Sequence, residues 1–395
     1  MKIIAVNAGS SSLKFQLLKM PGETELVSGI VERIGMENSI LKVKLNGEKI
    51  EIEHPVIDHA VAVDLLLKQL LELGVVDSLK DIEGVGHRVV HGGEAFSDSV
   101  VITDEVIEAI ESVSDLAPLH NPANLTGIHA FQKALPDVTA VAVFDTAFHQ
   151  TMPKESFLYG VPYKWYEQYG VRKYGFHGTS HKYVAHRVAE LMKKPVESLK
   201  TVVLHLGNGA SICAVDGGKS VDTSMGFTPL AGILMGTRSG DIDPAIVEFI
   251  AEKEDKHVSE VMNDLNKKSG YIGLSENSSD SRDLWTAAHK GDKQSLMAVK
   301  KQVKMIADYV AAYYVTMGGI DTLCFTAGVG ENAIFTRQLI AKRLAPLGLK
   351  LDEERNFVRG EERLISTDDS KIKAYLLPTN EEVMIARDTL RLSKK

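Results

Sequence analysis

Two cysteines in 395 residues, Cys213 and Cys324, are too few for a disulfide framework. Each lies in an apolar run (Ser-Ile-Cys-Ala-Val and Thr-Leu-Cys-Phe-Thr-Ala), which reads as a buried, reduced thiol. No apolar run approaches the roughly 18 residues that a membrane-spanning helix needs. The segment ahead of Asn7 has one lysine and a few small or apolar residues, too short for a signal-peptide core, so a cytoplasmic location is expected. Basic residues are outnumbered, 45 Lys and Arg against 53 Asp and Glu, and the net charge of −8 leaves no basic footprint for nucleic acid. Any anion site therefore has to be built locally. No H-E-x-x-H spacing exists, which removes the zinc hydrolases. The nearest approach to a P-loop is Gly218-Lys219-Ser220, and it fails because Cys213 stands where the first glycine is required. Low-complexity stretches and long linkers are also absent.

What is present is an ordinary globular composition, 44% hydrophobic and 25% charged, in a chain too long for one core. Two domains are expected. The opening reads as strand, turn, strand: Lys2 to Val6, then Asn7-Ala8-Gly9-Ser10-Ser11-Ser12, then Leu13 to Leu18. Strand-like material at 39–52 precedes an amphipathic helix over His59–Leu73. A strand at Gly84–Val90 runs into His91-Gly92-Gly93, helical patterns follow at 104–114 and 123–135, and the apolar strand Thr139–Phe144 ends on Asp145. After Pro153 the outline repeats, with Thr201–Ser211 again reading as strand, glycine turn, strand. Aligning Gly9 with Gly207 places Asn7 over His205, which implies a coarse internal duplication. Helices are expected near 244–254, 258–268 and 296–317. A strand at Thr322–Thr326 then leads into a third glycine loop, Gly328-Val329-Gly330, and Ala374–Leu377 is a last short strand. Thr379 with Glu382 three residues on has the pattern of a capping box opening a terminal helix.

A glycine and serine turn lets a backbone approach an anion and offers N–H and hydroxyl donors to phosphate. A lone turn of this kind is equally an ordinary hairpin. Recurrence at Gly207-Asn208-Gly209 and at Gly328–Gly330 favours a nucleotide, with Lys14 placed to add a point charge. The stretch Gly328 to Ala333 also fits G-x-G-x-x-A, but no βαβ unit with an acidic partner surrounds it, so a nicotinamide cofactor is poorly supported. Arg88 and Arg238 stand beside glycines, where a guanidinium fork suits carboxylate or phosphate as well as a structural ion pair. Asp145 at a strand end and Glu381 in a first helical turn are suited to positioning Mg2+, and equally to capping. Among 13 histidines, His177 precedes a helix and is placed to donate to developing charge; His120, His149, His181 and His205 are weaker candidates.

Residues Ile4 to Lys14 resemble the first signature of the acetate kinase family, and Val202 to Ser211 its second. The similarity continues through His91-Gly92-Gly93, Phe176 to Ser180, Met235 to Asp241 and Pro378 to Glu382. The resemblance implies an α/β fold of two duplicated RNase H-like, actin-like ATPase domains flanking an ATP cleft. It places the first domain at 1–148 with 378–395 returning to it, and the second at 149–377, with a homodimer interface on the latter. It implies ATP or ADP and a small carboxylate as substrates, Mg2+ (with Mn2+ as its substitute) as cofactor, and no nucleic-acid or membrane partner. Carried over by position, Asn7 and Glu381 match the magnesium residues, Arg88 the substrate arginine and Asp145 the catalytic acid. His177 and Arg238 match groups around the transferring phosphoryl. Lys14, His205-Leu206-Gly207-Asn208-Gly209, Asp280-Ser281-Arg282 and Gly328-Val329-Gly330-Glu331-Asn332 match nucleotide-binding positions. Val90, Leu119, Phe176 and Pro229 match the pocket around the acetate methyl. One departure is Ser281, where family members commonly carry an aromatic residue; it takes an apolar wall from the base pocket.

The reaction implied is reversible phosphorylation of acetate. A propionate or butyrate kinase is the nearest alternative, because one methylene is worth only about 1–3 kcal/mol in an apolar pocket. An actin-like ATPase used as a switch is the alternative of another class.

Overall fold

Residues Ile3 to Val6 are all buried, which places β1 (Lys2–Ala8) inside a sheet covered on both faces. The computed structural model describes residues 1–394. It divides into two compact units: Met1–Gln150 with the segment from Asn380 onward, and Thr151–Thr379.

The first unit is built on β1, β2 (Ser12–Lys19), β3 (Thr24–Glu32), β4 (Ile40–Leu45), β5 (Glu48–Glu53), β6 (Ile82–Val89), β7 (Val100–Val101) and β8 (Thr139–Phe144). Their order across the sheet is β5-β4-β3-β2-β1-β6-β8-β7. β1 to β5 form an antiparallel meander, β1, β6 and β8 run parallel, and β7 returns antiparallel to β8. The region at 39–52 is thus a hairpin, β4 to β5, closed by Asn46 and Gly47, both at positive φ. On one face the helix His59–Glu72 sets Ala62, Val63, Leu66 and Leu70 against Ile4, Val6, Leu13 and Val85. The helix Glu381–Ser393 packs on β6 and β1. A Cβ on Gly86 would stand 2.4 Å from Ile385 Cγ2 and 2.4 Å from Thr389 Oγ1, so glycine is required for that approach.

The second unit repeats the plan with β9 (Lys200–Leu206), β10 (Ala210–Asp216), β11 (Lys219–Thr223), β12 (Thr322–Thr326), β13 (Arg363–Leu364) and β14 (Lys373–Leu376). Its order is β11-β10-β9-β12-β14-β13, with β11 to β9 antiparallel, β9, β12 and β14 parallel, and β13 antiparallel on the edge. This matches β3-β2-β1-β6-β8-β7 strand for strand, edge strand included. The duplication expected from two glycine turns is therefore a property of whole sheets. Cys213 and Cys324 are buried on β10 and β12; burial pushes both thiols up, Cys213 to about 12.

Two local expectations are corrected. Thr379 and Glu382 form no capping box: Asn380 is the N-cap, its Oδ1 accepting from Val383 N at 3.1 Å, and the helix opens at Glu381. Asparagine is the stronger cap, and Thr379 instead meets Ser180 Oγ at 2.7 Å. Gly328-Val329-Gly330 is not a loop but part of a short helix, Ala327–Asn332, with the backbone turn taken by Ala327 at φ 62. The helix expected from 296 begins three residues earlier, Lys293–Met317, because Asp292 caps it through Gln294 N and Ser295 N.

Candidate functional site

The parallel strands β1, β6 and β8 end together, and the charged candidates of the first unit stand at those ends. Val6 pairs with His87, so Asn7 and Arg88 follow at the next step, and Asn7 pairs across with Lys14 on β2. Register neighbours share a face. Gly84 and Gly86 meet Thr389 and Ile385, so the first turn of that helix, Glu381, is brought over Arg88, one helical turn and one strand step further. Arg88 grips Asp145 through one edge of its guanidinium, Nε to Oδ1 at 3.0 Å and Nη2 to Oδ2 at 2.6 Å. Lys14 Nζ pairs with Glu382, so its charge is already met within this unit.

These groups do not cancel. Burial alone would lower the Arg88 guanidinium, but Asp145, then Glu381 and Glu382, hold it above its usual value. Burial pushes the Glu381 carboxyl up, Arg88 and Lys14 oppose that, and Asp145 and Glu382 add to it. Three carboxylates thus face two cations. Among the described residues no cluster of three or more His, Cys, Asp or Glu has metal-ligand geometry. Excess negative charge with a neighbouring amide oxygen nevertheless suits a hard cation that takes one or two carboxylates and fills its shell elsewhere, as Mg2+ does.

The turns around this cluster are held by residues that the sequence reading did not single out. Asn121 donates Nδ2 to His91 O at 2.9 Å and accepts from His91 N at 3.1 Å. Asn124 accepts from Val90 N at 3.0 Å and donates to Ala8 O at 2.8 Å. His59 Nε2 meets Gly9 O at 2.7 Å, which requires the proton on Nε2. Thr146 Oγ1 accepts from Gly92 N at 3.0 Å. The one signal was the Asn-Pro-Ala-Asn spacing, which sets both amides on one face of the helix Asn121–Ala134. Val90 is buried, whereas Leu119 is 73% exposed.

In the second unit the histidines gather. His177, at φ 58, precedes the helix Gly178–Met192, and its ring stacks on His205 with centroids 4.1 Å apart. Ser211, the β10 partner of His205, places Oγ 2.9 Å from His177 Nδ1 and 2.7 Å from His181 Nε2. Ser180 Oγ lies 2.8 Å from His205 Nδ1. His177 and the turn after β9 are therefore one assembly. Arg238 joins it: its guanidinium would lie 3.4 Å from a Cβ on Gly209, and Nη1 donates to Pro229 O at 3.0 Å. No carboxylate pairs with Arg238 among the described residues, and burial lowers its pKa. Asn208 is exposed at the turn, and its carbonyl accepts from Gly236 N.

The remaining nucleotide candidates stand elsewhere on this unit. Asp280 caps the helix Ser281–His289, and its carboxyl is held low first by Arg282, whose guanidinium forks onto it. Arg282 is exposed and Ser281 buried. The helix Ala327–Asn332 follows β12, and burial pushes the Glu331 carboxyl up. Its carbonyl end is closed by the buried Arg337, which donates to Gly330 O, Glu331 O, Asn356 O and Val358 O. Burial pushes that guanidinium down to about 10. Phe176 is buried and Pro229 half-buried.

Comparison with known proteins extends this picture over the whole chain. The model of the acetokinase family matches residues 2–387. An acetate kinase from Shouchella clausii is 59% identical over 392 residues, 99% of each chain. One from Bacillus cereus is 59% identical over 391 residues, 99% of this chain and 98% of that one. The crystal structure of Porphyromonas gingivalis acetate kinase covers 99% of both chains with a TM-score of 0.96 and 44% identity. A propionate kinase from Francisella tularensis does so with a TM-score of 0.93 and 41% identity. The repeated units are duplicated domains of the actin-like ATPase type, and the chain belongs to the acetokinase family.

Proposed function

We propose that the protein catalyses the reversible reaction ATP + acetate = ADP + acetyl phosphate by direct in-line phosphoryl transfer. Carboxylates titrate near ~4, so the acceptor is already ionised at neutral pH and no residue has to remove a proton from it. The barrier is the approach of one anion to another. Arg88, oriented by Asp145 through Nε and Nη2, holds the acceptor carboxylate with its remaining edge, Nη1. Asp145 therefore positions Arg88 and water rather than acting as a base. Arg238 and His177 offset charge on the transferring phosphoryl. Glu381 and Asn7 would hold Mg2+, which would supply positive charge against that of the phosphates. In the first unit Lys14 is assigned to the nucleotide and Val90 and Leu119 to the methyl group; in the second unit His205 to Gly209, Asp280 to Arg282 and Gly328 to Asn332 are assigned to the nucleotide, and Phe176 and Pro229 to the methyl group.

The observation that carries the reading is Arg238, a half-buried guanidinium with no carboxylate, braced by a carbonyl against a glycine turn. A protein keeps such a charge where an anion arrives to pair with it. The test is acetate-dependent formation of hydroxamate-trappable acyl phosphate from ATP and Mg2+. ATP hydrolysis with no acyl phosphate would instead indicate an ATPase switch. The propionate kinase likeness supports activity toward propionate as well, decided by specificity constants across the C2 to C4 acids.

A homodimer is supported by the large apolar side chains exposed on the second unit, Tyr163, Trp165, Tyr169, Ile246 and Phe249 among them. Its mass in solution tests this. No helix among the described residues is long and apolar enough to cross a membrane, and a cytoplasmic location accords with the two buried thiols.

A further inference from the structure

β1 and β6 run parallel in register as far as the pair Val6 and His87. Beyond it, two residues on at Ala8 and three residues on at Val90, the ladder is replaced by one side chain. Asn124 Nδ2 donates to Ala8 O at 2.8 Å, and Asn124 Oδ1 accepts from Val90 N at 3.0 Å. Carbonyl and N–H each dictate their partner, so the amide has a single allowed orientation. The group is buried, and these bonds join positions 116 and 34 residues apart in the chain. The helix that carries it comes close because residue 127 is glycine: a Cβ there would stand 2.6 Å from Ala8 Cβ. The amide acts as a spliced-in peptide unit, holding the two strand ends apart by its own width and satisfying both.

We infer that Asn124 is a positioning residue that sets the spacing between the turn beginning at Asn7 and the strand end at Arg88-Val89-Val90, and thereby the fit of the acyl group. This rests on the proposed placing of the acceptor carboxylate at Arg88 and its alkyl end at Val90. Of the two strand ends, Ala8 adjoins Asn7 and Val90 follows Arg88 by two residues, so a shift in the amide moves both. Asn121, bonded to the backbone of His91 and to Ile110 O, supports the next turn and not this gap.

Asn124→Asp keeps the shape and the acceptor for Val90 but loses the donor to Ala8; Asn124→Leu loses both. The KM for acetate should rise about tenfold in Asn124→Asp, the scale of one lost buried hydrogen bond, with the KM for ATP held and kcat changed less. The ratio of specificity constants for propionate and acetate should shift with it. Hydrogen exchange at the Val90 amide should be slow in the unaltered protein and faster in Asn124→Leu, with Val85 unchanged. The inference is overturned if the variants melt lower but keep the acetate KM and the propionate to acetate ratio. It is equally overturned if the Val90 amide of the unaltered protein exchanges like an unprotected loop, a measurement that does not depend on the variants folding. Absence of acyl phosphate from the unaltered protein would overturn the proposed reaction, and the exchange data would still decide the strut.

Discussion

Arg88 and Asp145 stand at the ends of adjacent parallel strands and meet edge to edge, Nε to Oδ1 at 3.0 Å and Nη2 to Oδ2 at 2.6 Å. Asp145 is 2% exposed, and its backbone N also donates to Val89 O at 3.0 Å, so carboxylate and strand end are fixed together. Breaking a buried pair from one side costs about 3–5 kcal/mol, because the remaining charge is left uncompensated. Asp145→Asn should therefore lower both thermal stability and kcat/KM for acetate. The acidic limb of the pH profile should persist in that variant, since no proton is taken from the acceptor. A limb that vanishes with the substitution would identify Asp145 as a base.

Arg238 presents the opposite balance. Its only described side-chain bonds run to Pro229 O and Met235 Sδ, and burial lowers its pKa. Such a charge is a cost in the unliganded protein. Arg238→Ala should leave the melting temperature unchanged or higher while the rate falls by about 10³–10⁵, the range for arginines that clamp a transferring phosphoryl. Arg238→Lys should not restore it, because an ammonium lacks the planar fork. Steady-state kinetics alongside calorimetry checks both halves.

What the sequence made legible follows from how far apart the partners are. The hairpins β1–β2 and β9–β10 announce themselves, because apolar strands are joined by turns that only Gly, Ser and Asn suit. β3 does not: of Thr24–Glu32 only Val27 and Val31 are buried, too sparse to read as alternation. Ala327–Asn332 reads as a loop because glycine is a poor helix former, yet Arg337 closes its carbonyl end from the following helix, and tertiary bonds override propensity. Arg88 and Asp145 can be singled out as residues but not as a pair 57 positions apart. Asn121 and Asn124 carry no chemistry of their own, so only the structure reveals what they hold.

His87 is buried between β6 and Phe131, with ring centroids 5.5 Å apart in an edge arrangement, and its Nε2 has no hydrogen-bond partner. Burial lowers its pKa to about 3, against 6.5 when exposed. The folded state thus excludes a proton that the unfolded state binds between those values. The neutral ring's contribution is complete above pH 6.5 and is lost as pH falls toward 3, at about 1.4 kcal/mol per unit. His91, lowered to about 4 by the same cause, adds to the slope. Urea unfolding at pH 7.5 and 5.5 should show the loss, and His87→Leu should reduce the difference by about 1.4 kcal/mol. An unchanged difference would mean that this ring does not titrate on unfolding.

Gly86 and Gly84 on β6 let the helix Glu381–Ser393 lie directly on the sheet. Neither neighbour of a Cβ at Gly86 can yield easily: Ile385 and Thr389 are both buried on the helix, and Ile385 O would itself be 3.3 Å away. Gly86→Ala should therefore cost about 1–3 kcal/mol through overpacking, read as a lower melting temperature. The same displacement lifts the first turn of the helix, and with it Glu381, away from Arg88. At a temperature where the variant is folded, the Mg2+ concentration needed for half-maximal activity should rise more than the KM for acetate. Gly22→Ala, where a Cβ would come no closer than 3.8 Å to any neighbour, should change neither. If Gly86→Ala loses stability but keeps its Mg2+ dependence, the helix supports the sheet without setting the position of Glu381.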